Sequence, residues 1–227
     1  TLTIAISERR GEITLNYKNV RYPNVDSGEL WRKAYEQIQI LEKQRELFDK
    51  YLKELDYYEL RNFPSLTKAV EVIQRGKVVQ KMAAELKKYV IELGKEGVLI
   101  RTRLKDITSG VEKETDLVVK DYTQTNLKKS KAFLDELSYE DLLTKDNIFK
   151  SLDYEKQVQT KPVTGWRILS KTTLSEADIA VIIKESGSLG KAIHSNKQFH
   201  ETVLGEEKSK ILRQEIENIK LNPGFDF

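Results

Sequence analysis

Between Thr67 and Leu104 the apolar positions fall into two interlocked rows. Val72, Val79, Leu86 and Leu93 recur every seven residues, and Ala69, Gly76, Ala83 and Val90 precede them by three. Two rows at this spacing make one buried seam on a long helix, with charged residues on the opposite face. The second row is mostly small, so a neighbouring backbone can approach closely at Gly76 and Ala83. Gly94 reads as the glycine that ends the helix, and Gly97 closes the turn before a new apolar run. The pattern predicts a helical domain and is silent about activity.

Towards the N-terminus the period changes to two. Leu2, Ile4, Ile6 and then Ile13, Leu15, Tyr17 flank SERRGE and predict a β-hairpin with one buried face. A lone hairpin is marginal in water. Nothing downstream supplies a sheet, so the missing strands are expected upstream of Thr1, in a longer or trimmed parent. Tyr22–Gly28 reads as a linker whose Asp26 or Ser27 caps the next helix. Leu30, Ala34, Ile38, Leu41, Phe48, Leu52 and Leu55 then predict a helix to about Asp56, broken at Asn62-Phe63-Pro64-Ser65.

Residues 98–122 predict one or two helices interrupted at Ser109-Gly110, and Thr123–Ser130 reads as a loop. Ser138 to Asp141 forms a capping-box start for a short helix over 139–143, and 146–152 predicts another. The polar stretch Asp153–Thr164 is the best domain boundary. Beyond it lie an apolar cluster at Trp166–Ser170 and a helix from Ser175 to Gly187. A short helix at 188–195 follows, then a final one at 208–219 with Ile211, Leu212, Ile216 and Ile219 inward.

Composition narrows the classes. The chain has 227 residues, 33% charged and 39% apolar, with no cysteine. Disulfides, thiolate metal sites and a cysteine nucleophile are therefore excluded. No apolar run is long enough for a membrane-spanning helix. A net charge of +3 permits nucleic-acid contact without announcing it.

Few residues offer chemistry of their own. Gly94-Lys95-Glu96-Gly97 has the G-x-x-G form of loops that clamp nucleic-acid backbone, but helix capping is the better reading because no small sheet-bearing domain surrounds it. His194 and His200, six residues apart, match no common zinc spacing and read as surface or packing residues. No carboxylate pair stands out as acid and base, so neither catalytic residues nor a metal site is assigned. VLGEEKSK is more informative, because a glycine turn leads into a helix with lysines near its start. Backbone amides at such a start can hold a DNA phosphate. Glu206 and Glu207 suit the helix dipole but repel a phosphate, so a capped terminal helix stands as the alternative.

Longer stretches resemble a known family. IAISERRGEITLNY, followed by RY and QIQILEKQRELFDKYLKEL, resembles the last strands of a diadenylate cyclase domain entering the helical linker of the DNA integrity scanning family. VVQKMAAELKKYVIELGKEGVLIRTRLKDITSGVEKETDLVVKDY is similar to the linker's core, and SYEDLLTKDNIFKSLDY to its end. TGWRILSK with the helices over 175–216 resembles that family's C-terminal helix-hairpin-helix domain. The likeness is collinear over nearly the whole chain, and ELGKEG and GWRILSK are its most specific parts.

The resemblance implies a mainly α architecture. Residues 1–28 are the terminal strands of an α/β cyclase domain, 29–153 a helical linker bundle and 154–227 a small helix-hairpin-helix-like DNA-binding domain. It also implies a cytoplasmic octamer that makes cyclic di-AMP from two ATP with Mg or Mn and is suppressed by branched double-stranded DNA. The family's Asp-Gly-Ala and Arg-His-Arg motifs do not occur in this chain. These residues alone are expected to be inactive and to carry no cofactor. Ser7, Glu8 and Arg9, with Arg10 beside them, correspond to the edge of the nucleotide site and serve equally as a strand turn.

The C-terminal part departs from the family. One glycine of the hairpin is kept, at Gly205, and the proline-bearing first hairpin is replaced by KTTLSEAD. Over 156–227 eleven Lys and Arg stand against nine Asp and Glu, so phosphate contact rests on few side chains. Lys171, Gly205, Lys208, Lys210 and Arg213 are the expected DNA contacts. The alternative is a helical assembly module whose tail has lost DNA binding.

Overall fold

A computed structural model describes residues 2–7, 12–17, 20–92, 97–154 and 163–221. The chain is mainly helical. It opens with an antiparallel sheet of order β1-β2-β3, formed by Leu2–Ser7, Glu12–Tyr17 and Val20–Asp26. β1 and β2 pair with Leu2 opposite Tyr17 and Ser7 opposite Glu12. The segment read as a linker at Tyr22–Asp26 is therefore a strand, with a register shift between Ile13 and Leu15. The third strand of this sheet follows the hairpin directly. Pro23 hid it, since proline in a short apolar run argues against a strand.

Two long helices follow, α1 at Ser27–Leu60 and α2 at Leu66–Glu92. The chain divides into two compact units, Thr1–Arg45 with Val79–Ser109, and Glu46–Val78 with Gly110–Phe227. Both long helices supply residues to each.

In the first unit Ala34, Ile38 and Leu41 of α1 and Ala83, Leu86 and Val90 of α2 are buried. So are Ile100, Leu104 and Ile107 of α3 (Val98–Thr108). Arg45 donates from Nη1 to the carbonyls of Ile107 and Ser109, at 2.6 and 2.8 Å, and so closes the C-terminal end of α3. Those orphan carbonyls need such a donor.

The second unit takes the remaining helices: α4 at Val111–Tyr122, α5 at Leu127–Glu136, α6 at Tyr139–Leu142 and α7 at Lys145–Ser151. Then come α8 at Trp166–Leu169, α9 at Glu176–Ser186, α10 at Leu189–His194, α11 at Lys197–Leu204 and α12 at Glu206–Leu221. The expected seam of α2 is buried here at Ala69, Val72 and Gly76. A Cβ at Gly76 would overlap the Thr115 hydroxyl and meet the Phe48 ring at 3.0 Å, so the close approach at Gly76 is made by side chains and not by the neighbouring backbone that the small row predicts. Leu93 and the G-x-x-G glycine Gly94 lie outside the described residues.

Side-chain caps set most of the later helix starts. Ser138 and Asp141 form the expected capping box of α6, while Ser175, Ser188 and Asn196 cap α9, α10 and α11. Asn126 caps α5 by accepting from Lys129 N at 2.9 Å, so half of the stretch read as a loop is helix. Residues 98–122 form two helices, as one of the two sequence readings had it.

Below α8 to α12 lies one apolar cluster of Ile168, Leu169, Ile179, Ile182, Leu189, Ala192, Ile193, Leu212 and Ile216, joined by Leu60 from α1. Leu212 and Ile216 face inward as expected. Ile211 does not: it is 42% exposed. Starting α12 at Glu206 fixes its buried stripe on Ser209, Leu212 and Ile216, and Ile211 lies off that face.

Candidate nucleic-acid interface

GWRILSK is best understood from the residues that hold it. Gly165 has φ +100°, and a Cβ on it would lie 2.7 Å from Leu189 Cδ1, so only glycine fits this entry to α8. Asp121 of α4 caps the start of the helix. Its carboxylate accepts from the Gly165, Trp166 and Arg167 amides at 3.0, 2.8 and 2.9 Å and from the Thr164 hydroxyl at 2.5 Å. Burial is the largest influence on this carboxyl and holds it above its ordinary range, against those hydrogen bonds.

Arg167 is fully buried. Its guanidinium donates to Asp56 through Nη1, and to Glu59 Oε2 through Nη2 at 2.6 Å. Tyr122 donates its hydroxyl to the other Glu59 oxygen at 2.9 Å. Burial pushes Glu59 up to about 7, outweighing the attraction of Arg167, with Asp121 and Asp56 adding repulsion. Burial also works against the Arg167 charge, but Glu59 and Asp56 together keep the guanidinium above its ordinary value. Tyr122 is raised as well, by burial and then by Glu59. Outside this knot the Lys120 ammonium sits 3.1 Å from the Trp166 ring centroid.

The five expected DNA contacts separate on this frame. Lys171 gives its ammonium to Asp56 Oδ2 at 2.6 Å, in the same acidic group that holds Arg167. Lys208 reaches across from α12 to both oxygens of Asp178 on α9, at 2.8 and 2.9 Å. The Lys208 ammonium, then the Ser175 hydroxyl, hold the Asp178 carboxyl below its ordinary range. Gly205 has φ +82° and ψ 162°, with open space where a Cβ would stand, and its amide donates to Glu201 O at 2.9 Å. Both helix starts carry acids in their first turns, Glu176 and Asp178 on α9, Glu206 and Glu207 on α12. Within KTTLSEAD the Thr173 amide donates to the Glu215 carboxylate of α12 at 3.0 Å.

Lys210 and Arg213 lie together elsewhere. They line an open groove of about 740 Å³ formed with α10 and α11, with His194, Lys197 and His200 on its walls. His194 is exposed. His200 is buried, with Nε2 2.8 Å from the Ala192 carbonyl. Ser7 ends β1, while Glu8 and Arg9 lie outside the described residues.

Sequence reasoning missed the Asp56–Glu59–Asp121–Arg167 group and helix α11. The group had one visible signal, an arginine inside the apolar run of GWRILSK. For α11 the signals were Asn196 in capping position and the Phe199, Val203, Leu204 spacing.

Residues 25–161 match the family described as "DisA bacterial checkpoint controller linker region". The DNA integrity scanning protein DisA of Bacillus subtilis (strain 168) is 29% identical over 228 residues, covering 96% of this chain and 63% of that protein. That of Clostridium tetani (strain Massachusetts / E88) is 27% identical, over 99% of this chain and 65% of its own length. That of Carboxydothermus hydrogenoformans is 30% identical, over 96% and 65%. The chain thus spans a little under two thirds of these relatives. No described helix is long and apolar enough to cross a membrane. With a family match across the linker helices and collinear likeness over nearly all its length, the chain belongs to the DisA bacterial checkpoint controller linker family.

Proposed function

We propose that these residues are the linker and DNA-sensing portion of a DNA integrity scanning diadenylate cyclase. The parent joins two ATP molecules into cyclic di-AMP with Mg or Mn, works in the cytoplasm as an octamer, and is restrained by branched double-stranded DNA at its C-terminal helices. The observation that carries this reading is the collinear likeness to DNA integrity scanning proteins over 96% of the chain. Residues 1–28 are then the last strands of the cyclase domain, and α11, Gly205 and α12 the second helix-hairpin-helix unit.

Joining two nucleotides requires a metal to orient the triphosphate and neutralise charge. The Asp-Gly-Ala and Arg-His-Arg motifs that the family resemblance ties to this chemistry do not occur in the chain. This segment on its own makes no cyclic di-AMP from ATP with Mg²⁺ or Mn²⁺, and product from it would overturn that statement.

A second reading is a helical assembly module whose tail no longer touches DNA. The acids on the first turns of α9 and α12 and the Lys208–Asp178 tie favour it. A mobility shift with a four-way junction at two salt concentrations separates the two. Retardation that fades steeply with salt supports DNA sensing, because phosphate contacts release counterions. No retardation at low salt leaves the assembly module.

A further inference from the structure

We infer that the groove between α10, α11 and α12, rather than the two hairpins, is where this chain grips a DNA phosphate, with Lys210 and Arg213 as its principal cations. The inference rests on the DNA-sensing reading and locates the contact within it. A helix-hairpin-helix grip depends on free amides and unengaged lysines at a helix start. Here the Thr173 amide is occupied by Glu215, Lys171 by Asp56 and Lys208 by Asp178. Four acids in the two first turns repel a phosphate that approaches along either helix axis.

Lys210 and Arg213 are in a different position. They stand three residues apart on the exposed face of α12. Among the described residues neither is tied as Lys171 and Lys208 are, although Arg213 adds, after Lys220 and His194, to the attraction that lowers the Glu217 carboxyl. Both line the groove, with Lys197 and His194 opposite on α11 and α10. The groove is not uniformly basic, since Glu201, Glu206 and Glu217 also line it. Two of these already have cations, Glu201 from Lys197 at 3.2 Å and Glu217 from Lys220 at 2.9 Å. Glu206 and, despite Lys220, Glu217 are left to oppose Lys210 and Arg213, and Glu217 lies within electrostatic reach of both His194 and Arg213. The buried His200 on the groove wall adds a polar atom with nothing to satisfy it: Nδ1 has no hydrogen-bond partner, while Nε2 is spent on Ala192 O. With Nε2 donating to that carbonyl, Nδ1 is an acceptor that a water completes; it cannot hold a phosphodiester oxygen, and the grip rests on Lys210 and Arg213. Arginine with lysine is the pairing that positions a phosphate backbone without reading its sequence.

The test is anisotropy of a labelled four-way junction titrated with the full chain at low and moderate salt. Lys210→Ala/Arg213→Ala should bind at least about ten-fold more weakly and lose about two from the salt slope. Lys171→Ala/Lys208→Ala should stay within about two-fold of the parent, its lysines being engaged already. Glu217→Gln should bind more tightly, a gain that misfolding does not mimic. Glu217 lies well past the first turn of α12, so a hairpin grip would ignore it. If the Lys171/Lys208 pair weakens binding as much as the groove pair, or Glu217→Gln gains nothing, the groove is wrong and DNA sensing stands. If the parent fails to bind at low salt, both fall. If AMP or inorganic phosphate binds at Lys210 and Arg213 and the junction does not, the groove serves a free phosphate and the DNA assignment is overturned.

Discussion

Two glycines open two helices in the same unit, and the helices have been put to different uses. Gly165 leads into α8, whose first amides are taken by Asp121 and whose arginine is locked between Asp56 and Glu59. Gly205 leads into α12, whose first turn carries Glu206 and Glu207 in solvent and whose Lys208 is tied to Asp178 on the surface. Both patterns look like anion grips when read as glycine, helix and basic residue. At Gly165 the anions are the protein's own and are buried. At Gly205 the acids lie within the helix itself. A basic residue after a helix-opening glycine reports an anion site only when no carboxylate of the chain reaches it first.

The largest test of this contrast is removal of the arginine. Arg167→Leu leaves Glu59 and Asp56 without their shared cation and should cost about 3–5 kcal/mol in urea unfolding, the usual range for breaking a buried pair on one side. Acidity is the next lever. Glu59 stands at about 7 in the folded chain against 4.5 for the free group. The folded state therefore holds this proton where the unfolded state releases it. Its contribution is fully present below the unfolded value and is lost as pH rises through about 7. Across that window stability should fall by roughly 3 kcal/mol from this group. Glu59→Gln should flatten the dependence, and an unchanged slope would refute the assignment.

The glycines themselves separate by less. Gly165→Ala must displace Leu189 as well as hold a left-handed backbone, whereas Gly205→Ala meets open space and bears only the backbone strain, about 1–3 kcal/mol. Thermal melts should order them with Gly165→Ala the less stable; the reverse order would show that α8 can shift. Smallest of all is Lys208→Ala. Its pair with Asp178 lies in solvent, so the melting midpoint should hardly move. A clear loss would mean that this tie, too, is part of the frame.

Much of the fold was legible because its signals are local. The described members of the two rows of α2, the capping box at Ser138 and the stop at Gly187 rest on signals between residues within one or two helical turns, and each appears where the pattern placed it. Where the reading failed, local signals conflicted or were short. Pro23 masked β3, the lysines after Asn126 looked like loop, and α11 has only eight residues. The candidate site was legible only as a set of cations. Which of them are engaged depends on carboxylates far away in the chain.

That division has a physical basis. By itself the sequence determined helix periods, most helix ends, the absence of thiol chemistry and the family likeness, because propensity, capping and composition act over a few residues. Tertiary structure alone decided what each charge does. Asp56 meets Arg167 across 111 residues and Lys171 across 115, and Asp178 meets Lys208 across 30. Coulomb attraction strengthens steeply as burial lowers the local dielectric, and burial is a property of the packed chain. The same lysine can therefore be a phosphate contact or one half of an internal pair, and only the fold chooses between them.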